Sequence, residues 1–243
     1  MTSSLLARPP NGWGQDSLTG YFDNFRGNQF ATFNNKRPAV ADLIRIDGLF
    51  VRFLHGATNP RPFVPMTFML RAHAAYRAAA GAVLAGQLYE AQAMLRLCLE
   101  HGAYGFYIGA DKVRWQRWMN RNDSAAAKQA VRDEFTHNRI RKHIKAAAAT
   151  IGGQFERLYE TLIDFGAHPN EQGFSINSAI RRDGEKVHFD TIYLQADGVP
   201  LDMGLKMTGQ VGLWVPHVMQ LIYVERFELQ GIRADIEEIR SRF

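Results

Sequence analysis

The sequence feature that most constrains this fold is a run of eighteen residues without a charge, from Met207 to Val224. Such a run reaches the lower limit of length for a transmembrane helix. It also contains two glycines, two glutamines, a proline and a histidine, and polar groups are costly in the hydrocarbon core of a bilayer. The run therefore predicts a central helix, beginning near Pro200, that other protein elements bury on most sides.

Apolar residues at helical spacing predict further helices along most of the chain. They are expected at about 38–55, 65–86, 88–108 and 111–120, with a charged helix from about Ala234. A long helix capped by Ser124 is expected to reach Ile151, where Gly152 and Gly153 would stop it. A further helix would end at Gly166, before His168 and Pro169. We predict a mainly α fold, a bundle of roughly seven helices.

Two parts of the chain differ in composition. Residues 1–36 are rich in Gly, Asn and aromatic residues. They predict an N-terminal arm that packs along the body of the protein or on a neighbouring subunit, because so aromatic a segment is a poor solvated tail. Residues 37–243 predict one helical domain. Its last long helix is expected to follow an inserted β-hairpin.

The hairpin is predicted at residues 174–194, where the apolar period changes from helical to alternating. Asp183-Gly184 is a strong signal for a two-residue turn. Pairing Arg182 with Glu185 places the apolar residues of both strands on one face. These residues are Phe174, Ile176, Ile180, Val187, Phe189 and Tyr193.

Composition and cysteine content limit the functional classes. An apolar share of 46% and a charged share of 22% are typical of a globular protein. The single cysteine, Cys98, excludes an internal disulfide and fits a reducing compartment, and residues 1–10 lack the pattern of a signal peptide. We expect a cytoplasmic protein that does not enter membranes. No phosphate-binding glycine loop, dinucleotide fingerprint or nucleophile elbow is present, so no cofactor is expected.

A metal site is a further alternative, carried by Glu134 and His137. Their spacing would put a carboxylate and an imidazole on one face of the long predicted helix. A carboxylate-bridged di-metal bundle needs two such pairs and two further glutamates. The only other copy, Glu185 and His188, falls in the predicted hairpin. Half the ligand set is missing, and no metal is expected.

Basic residues cluster in two segments beside aromatic ones. Residues 112–121 hold Arg114, Arg117 and Arg121 with two tryptophans, and residues 132–145 hold Arg139, Arg141 and Lys142. Arginine forks and aromatic rings are suited to phosphate contact and base stacking. The formal charge of +5 permits an anionic partner without requiring one. The pattern indicates either a nucleic-acid-binding surface or solvated helix faces.

Two short motifs resemble a known superfamily. In MLRLCLEHG, residues 94–102, Arg96 precedes Glu100 by one helical turn, and LYETLIDFGAHPNEQG reaches a helix stop at His168-Pro169. Both resemble uncharacterised bacterial proteins related to the HEPN helical bundles. The resemblance implies an all-helical bundle, often a homodimer. It also implies RNA or nucleotide binding, or metal-independent ribonuclease activity, in toxin and defence systems.

The ribonuclease branch of that superfamily uses an arginine followed, four to six residues later, by a histidine. Arg132 and His137 fit this spacing, as do Arg96 with His101 and Arg182 with His188. In such a pair the histidine would serve as general base or acid for the ribose 2′-hydroxyl, and the arginine would neutralise the phosphate.

A polar cluster is also predicted, formed by the side chains that the two motifs contribute. Its members would be Arg96, Glu100, His168, Asn170 and Glu171. The leading hypothesis is a HEPN-like protein that binds RNA or a nucleotide, with or without cleaving RNA. The alternative is a non-catalytic helical interaction protein in which this cluster is structural.

Overall fold

The computed structural model describes residues 9–109, 111–169 and 171–243, and of Gln172 and Phe174 only the backbone. The helices are α1 Ser17–Asn35, α2 Arg37–Leu54, α3 Val64–Leu84, α4 Leu88–Gly109, α5 Lys112–Met119, α6 Ala125–Glu134, α7 His137–Ala147, α8 Ala149–Leu162, α9 Glu171–Ile176, α10 Val199–Met219, α11 Val224–Leu229 and α12 Ile232–Arg240. A π-helical turn, Ile163–Ala167, follows α8. The mainly α fold is confirmed, but the described helices outnumber the seven or so expected.

The uncharged run forms α10 and the turn after it, and α10 is the central helix of the bundle. Val211, Trp214 and Val215 are no more than 2% exposed, and α10 contacts α2, α3, α4 and α8. Gly212 allows the closest approach, since a Cβ there would lie 2.2 Å from the ring of Tyr76 on α3. The prediction of a helix buried on most sides is confirmed. In the part of the chain that is described, no helix has the length and apolarity to span a bilayer.

The helix pair α3 and α4 carries much of the core. The two helices are joined by the short connection 85–87 and pack along each other and on α10. Cys98 of α4 is fully buried as a small core side chain. Because α4 is held on both sides, its polar residues Arg96 and Glu100 are fixed in position at the edge of this core.

The prediction of one long helix from Ser124 to Ile151 is wrong, because the chain forms α6, α7 and the start of α8 there. The first break is at Thr136, whose backbone is extended. Its side-chain hydroxyl caps α7 by accepting a hydrogen bond from the Arg139 N–H at 3.4 Å. Gly152 lies inside α8 instead of stopping a helix. A Cβ at Gly152 would lie 2.6 Å from the Cα of Lys145 on α7, so this glycine allows the close packing of α7 on α8.

The helical stretch formed by α8 and the π-helical turn ends at Gly166-Ala167, as predicted. Gly166 lies in the π-helical turn with φ +143°, and a Cβ there would lie 2.8 Å from the carbonyl oxygen of Tyr89 on α4. Both the backbone angle and the close approach favour glycine. The chain then becomes extended at His168, so the predicted helix stop is confirmed.

The β-hairpin comprises β1 Ser178–Asp183 and β2 Lys186–Thr191, which pair antiparallel. Arg182 pairs with Val187 instead of Glu185, so the predicted register is wrong by two residues. The turn lies at Gly184-Glu185, because Gly184 adopts the left-handed conformation at φ +60°. A shift of two preserves the faces, so Ile180, which the predicted register pairs with Val187, instead pairs with Phe189 on the same face.

The predicted N-terminal arm contains α1, which packs on α2 and α3. Its amides reach the end of α3, where Gln29 donates to the carbonyl oxygen of Gly81 at 2.8 Å. Asn28 donates to that of Ala85 at 3.1 Å. The opposite face of α1 is exposed and includes large aromatic side chains, with Phe30 63% exposed.

Candidate functional site

A polar pocket of about 180 Å³ lies where α7 and α8 pack on α4. Its polar wall consists of Arg96 and Glu100 from α4, His137 from α7 and Tyr159 from α8. Tyr104, Ile140 and Phe155 contribute to its remaining walls. The pocket therefore combines a cation, a carboxylate, an imidazole and phenols from three separate helices.

Arg96 organises one side of the polar pocket. Its Nε donates to Glu100 Oε1 at 2.8 Å, and its second terminal nitrogen donates to the Tyr159 hydroxyl at 2.9 Å. The guanidinium carbon also lies 5.1 Å from the centroid of the Tyr159 ring. The side chains of Arg96 and Glu100 are 23% and 34% exposed to solvent. A guanidinium has five N–H donors, so donors of Arg96 remain for a ligand.

His137 is the first residue of α7 and stands across the polar pocket from Arg96. Its ring stacks on Tyr159 with centroids 4.0 Å apart and on Phe155 with centroids 5.5 Å apart. Burial lowers the pKa of His137, and the nearby charge of Arg141 lowers it further. The imidazole is therefore neutral near pH 7 and able to accept a proton, while the residue remains exposed to solvent.

Two tyrosines of the polar pocket were not predicted as site residues. Burial raises the pKa of both Tyr104 and Tyr159, so both hydroxyls are neutral. The Tyr104 hydroxyl donates to the carbonyl oxygen of Phe135 at 3.0 Å, which ties α4 to the α6–α7 connection. A buried tyrosine needs a partner for its hydroxyl, and this is the signal by which Tyr159 could have been identified on its largely apolar helix.

The structure brings together Arg96, Glu100 and His137 but places His168 and Glu171 elsewhere. His168 is exposed beyond the π-helical turn and does not line the polar pocket. Glu171 is exposed on α9 and accepts a hydrogen bond from the Ser175 hydroxyl at 2.8 Å. Asn170 lies outside the described residues. The π-helical turn packs near Tyr89, seven residues before Arg96, which is about 10 Å along the helix.

Arg132 is exposed near the end of α6 and does not line the polar pocket. The charged groups that shift the pKa of His137 are those of Arg141, Glu100, Arg96 and Glu156. The arginine that shares the pocket with His137 is therefore Arg96, which lies 41 positions earlier in the sequence. A local spacing search could not find this pairing.

Glu134 forms ion pairs with three of the six cations that were predicted to bind nucleic acid. It lies 2.8 Å from Arg117, 3.4 Å from Arg139 and 3.7 Å from Arg114, and it keeps only 17% of its side-chain exposure. The Tyr107 hydroxyl donates to its Oε1 at 2.7 Å. One carboxylate cannot neutralise three guanidinium groups, so this cluster stays positive.

The other three predicted cations lie on α7 or in the connection between α5 and α6. Arg121, in that connection, lies over the ring of Trp118, 4.8 Å from its centroid. Arg141 pairs with Glu156 at 2.9 Å, and Lys142 is exposed. Residues 111–147 carry ten Lys or Arg against four Asp or Glu, a net charge of +6, whereas the whole chain carries +5. We call the exposed cations of residues 111–147 the basic surface.

The described residues include no group of three or more His, Cys, Asp or Glu side chains arranged to hold a metal ion. The Glu134 and His137 pair is also separated, because α6 ends at Glu134 and α7 starts at His137. The expectation that these two residues share a helical face is wrong. Glu134 instead binds arginines, and His137 faces the polar pocket.

Comparison with known proteins gives no relative for this chain. No family model, curated protein or solved structure matches it. The chemistry of its pocket and surfaces is therefore the ground on which its function is argued.

Proposed function

We propose that the protein binds RNA along the basic surface and cleaves it in the polar pocket without a metal ion. The observation that carries this proposal is the meeting of Arg96 with a neutral His137 in one pocket beside the most basic segment of the chain. A proton acceptor and a cation are the two groups that cleavage by the neighbouring ribose hydroxyl requires.

In this reaction His137 takes the proton from a ribose 2′-hydroxyl, and the freed oxygen attacks the adjacent phosphorus. The bond from phosphorus to the 5′-oxygen of the next nucleotide breaks, and that oxygen takes a proton from solvent. Free donors of Arg96 stabilise the charge that gathers on the phosphate oxygens. The products are a 2′,3′-cyclic phosphate and a 5′-hydroxyl, and His137 returns its proton to solvent.

The basic surface supports the binding step. Phosphate contacts release condensed counterions, so affinity should fall steeply as salt rises. Arg121 with Trp118 joins a cation to an aromatic ring, as single-stranded nucleic-acid sites do. Arg139 and Arg141 lie within one turn of His137 on α7, which places phosphate contacts next to the polar pocket.

The test is a gel-shift and cleavage assay with a single-stranded RNA in EDTA at low salt. Wild-type protein should shift the RNA and cut it, leaving the matched DNA uncut because it lacks the 2′-hydroxyl. His137→Ala should bind the RNA without cutting it. His188→Ala, a control variant at an exposed position of the hairpin, should both bind and cut it. Protein that neither shifts nor cuts RNA under these conditions would contradict the proposal.

A second candidate is a non-catalytic interaction protein whose polar pocket is structural. The observation that favours it is the set of bonds that already engage Arg96, one to Glu100 and one to Tyr159. Under this alternative Arg96→Gln lowers the stability of the protein and has no effect on RNA. Under the proposed function the same variant also loses cleavage at a temperature where it is still folded.

The proposal retains the HEPN-like relationship, a role of the toxin and defence type, a cytoplasmic location and self-association. Large exposed apolar patches mark interaction surfaces, and Phe22, Phe30 and Phe33 expose 44%, 63% and 48% of their area on α1. This face supports a homodimer. Sedimentation of wild-type protein against a Phe30→Ser, Phe33→Ser double variant would test it, and a wild-type monomer would overturn it.

A further inference from the structure

Two neighbouring cavities lie on a different face of α8 from the polar pocket. The first, the head cavity, has a volume of about 510 Å³ and lies between α8, α10 and the end of α12. The second, the tail cavity, has a volume of about 300 Å³ and is closed by Phe165 of the π-helical turn. Thr161 and Met207 line both cavities, so the two spaces lie directly on either side of these residues.

The head cavity has the chemistry of an anion site. Arg157 and Arg240 line it together with Gln154, Gln210 and His217. Its described lining contains no Asp or Glu side chain.

The cations of the head cavity are incompletely neutralised. Arg157 has no carboxylate partner within ion-pair distance in the described parts of the chain. Arg240 lies 3.4 Å from Glu237, whose side chain is 53% exposed. An ion pair so exposed contributes little, so both guanidinium groups remain available to an anion.

His217 lies at the floor of the head cavity and is 6% exposed. Its Nε2 lies 3.4 Å from a terminal nitrogen of Arg240. Burial lowers the pKa of His217, and the charge of Arg240 lowers it further. The floor is thus uncharged, and the positive charge of the cavity is confined to the two arginines.

The tail cavity is mostly apolar. Leu88, Phe165, Met203 and Met207 are among its walls. Its polar lining residues are Tyr89, Gln92, Thr161 and Asn177. Gln92 is 7% exposed, and its Nε2 donates to the carbonyl oxygen of Leu88 at 3.2 Å.

We propose that the two cavities together bind an amphipathic anion. Its carboxylate or phosphate head lies between Arg157 and Arg240, and its unbranched apolar tail passes Thr161 and Met207 into the tail cavity. The volumes fall within the range of about 300–1,000 Å³ that small-molecule sites occupy.

Calorimetric titration of the full chain with four probes tests the head and the tail separately. Decanoate and decyl phosphate carry both parts, decanol lacks the charge, and acetate lacks the tail. At least one of the two amphipathic anions should bind about tenfold or more tightly than decanol and acetate, and the tighter of the two identifies the head group. Decanol that binds as tightly as both anions would overturn the proposal, and so would the absence of binding by both anions.

Variants locate the binding. Arg157→Gln with Arg240→Gln should weaken the favoured anion about tenfold or more and leave decanol unchanged. Met203→Trp should fill the tail cavity and weaken the binding of both the favoured anion and decanol. Arg132→Gln, which removes an exposed arginine distant from the lining, is the matched control and should bind as wild type does. An affinity that survives the double arginine variant would show adsorption elsewhere and overturn the assignment.

Discussion

The imidazole of His137 stacks on the phenol ring of Tyr159, with centroids 4.0 Å apart and an angle of 26° between the planes. The same phenol accepts a hydrogen bond from Arg96. Tyr159 therefore links the imidazole and the guanidinium, although these come from different helices and distant parts of the sequence. The geometry of the polar pocket depends on this one side chain more than on any local motif.

Replacing Tyr159 separates its two contacts. Tyr159→Phe keeps the ring stack and removes the hydroxyl, so the free energy of unfolding should fall by about 1 kcal/mol, as for a typical hydrogen bond. Tyr159→Ala removes both contacts and should cost clearly more. Urea unfolding checks the order. Equal losses for the two variants would show that the stack with His137 contributes nothing.

Glu134 restrains three cations, so its removal should have opposite effects on stability and binding. Glu134→Gln should lower the free energy of unfolding by about 1–3 kcal/mol, because a partly buried charged network loses its acceptor. It should also raise RNA affinity at low salt, since Arg114, Arg117 and Arg139 are released. Glu185→Gln, at the exposed hairpin turn, changes the net charge equally and is the control. An affinity gain of the same size in both variants would attribute it to net charge alone.

Two adjacent glycines in α8 should respond in opposite directions to alanine. A Cβ at Gly152 would lie 2.6 Å from the Cα of Lys145, whereas at Gly153 the nearest atom is a nitrogen of Arg157 at 3.8 Å. Gly152→Ala should therefore destabilise by about 1–3 kcal/mol through overpacking. Gly153→Ala should stabilise by about 0.5–1 kcal/mol through helix propensity. The measurement is thermal unfolding of the two variants and the wild type. A Gly152→Ala variant as stable as the wild type would contradict the close crossing of α7 and α8.

Burial lowers the pKa values of four histidines, His101, His137, His143 and His217. Each takes up a proton more readily in the unfolded chain than in the folded protein, so the unfolded state binds more protons as the pH falls through about 6.5. Stability is thus fully present above that pH and decreases below it. Urea unfolding at pH 7.5 and pH 5.5 should show a lower midpoint at pH 5.5. His217→Gln should reduce this difference, and a midpoint independent of pH would contradict the burial of these rings.

The elements that the sequence predicted well are those whose signal is local. The uncharged run predicted α10 because its length and composition leave few alternatives, and Gly166 marked the end of the helical stretch formed by α8 and the π-helical turn because few residues tolerate its backbone angle. The break at Thr136 was missed because its neighbours continue a helical pattern on both sides. Gly152 was taken as a helix stop because its actual role, the contact with Lys145, depends on how two helices cross.

The site shows the same division. Arg96 and Glu100 could be paired from their spacing, since residues four apart share a helix face. The approach of His137 to them depends on the packing of α7 and α8 on α4, which no spacing contains. His168 was expected to join this pair because both belong to motifs that resemble the same superfamily, but the π-helical turn before His168 packs near Tyr89, at the beginning of α4.

The most direct test of the proposed cleavage is the rate at which the protein cuts single-stranded RNA in EDTA, measured against pH. The rate should rise with pH through a pKa below 6.5, as His137 loses its proton, and then level off. His137→Ala should abolish the activity, and Arg96→Gln should reduce it strongly while RNA binding persists. An RNA that stays intact with wild-type protein, or a rate unchanged in His137→Ala, would contradict the assignment of the polar pocket as a ribonuclease site.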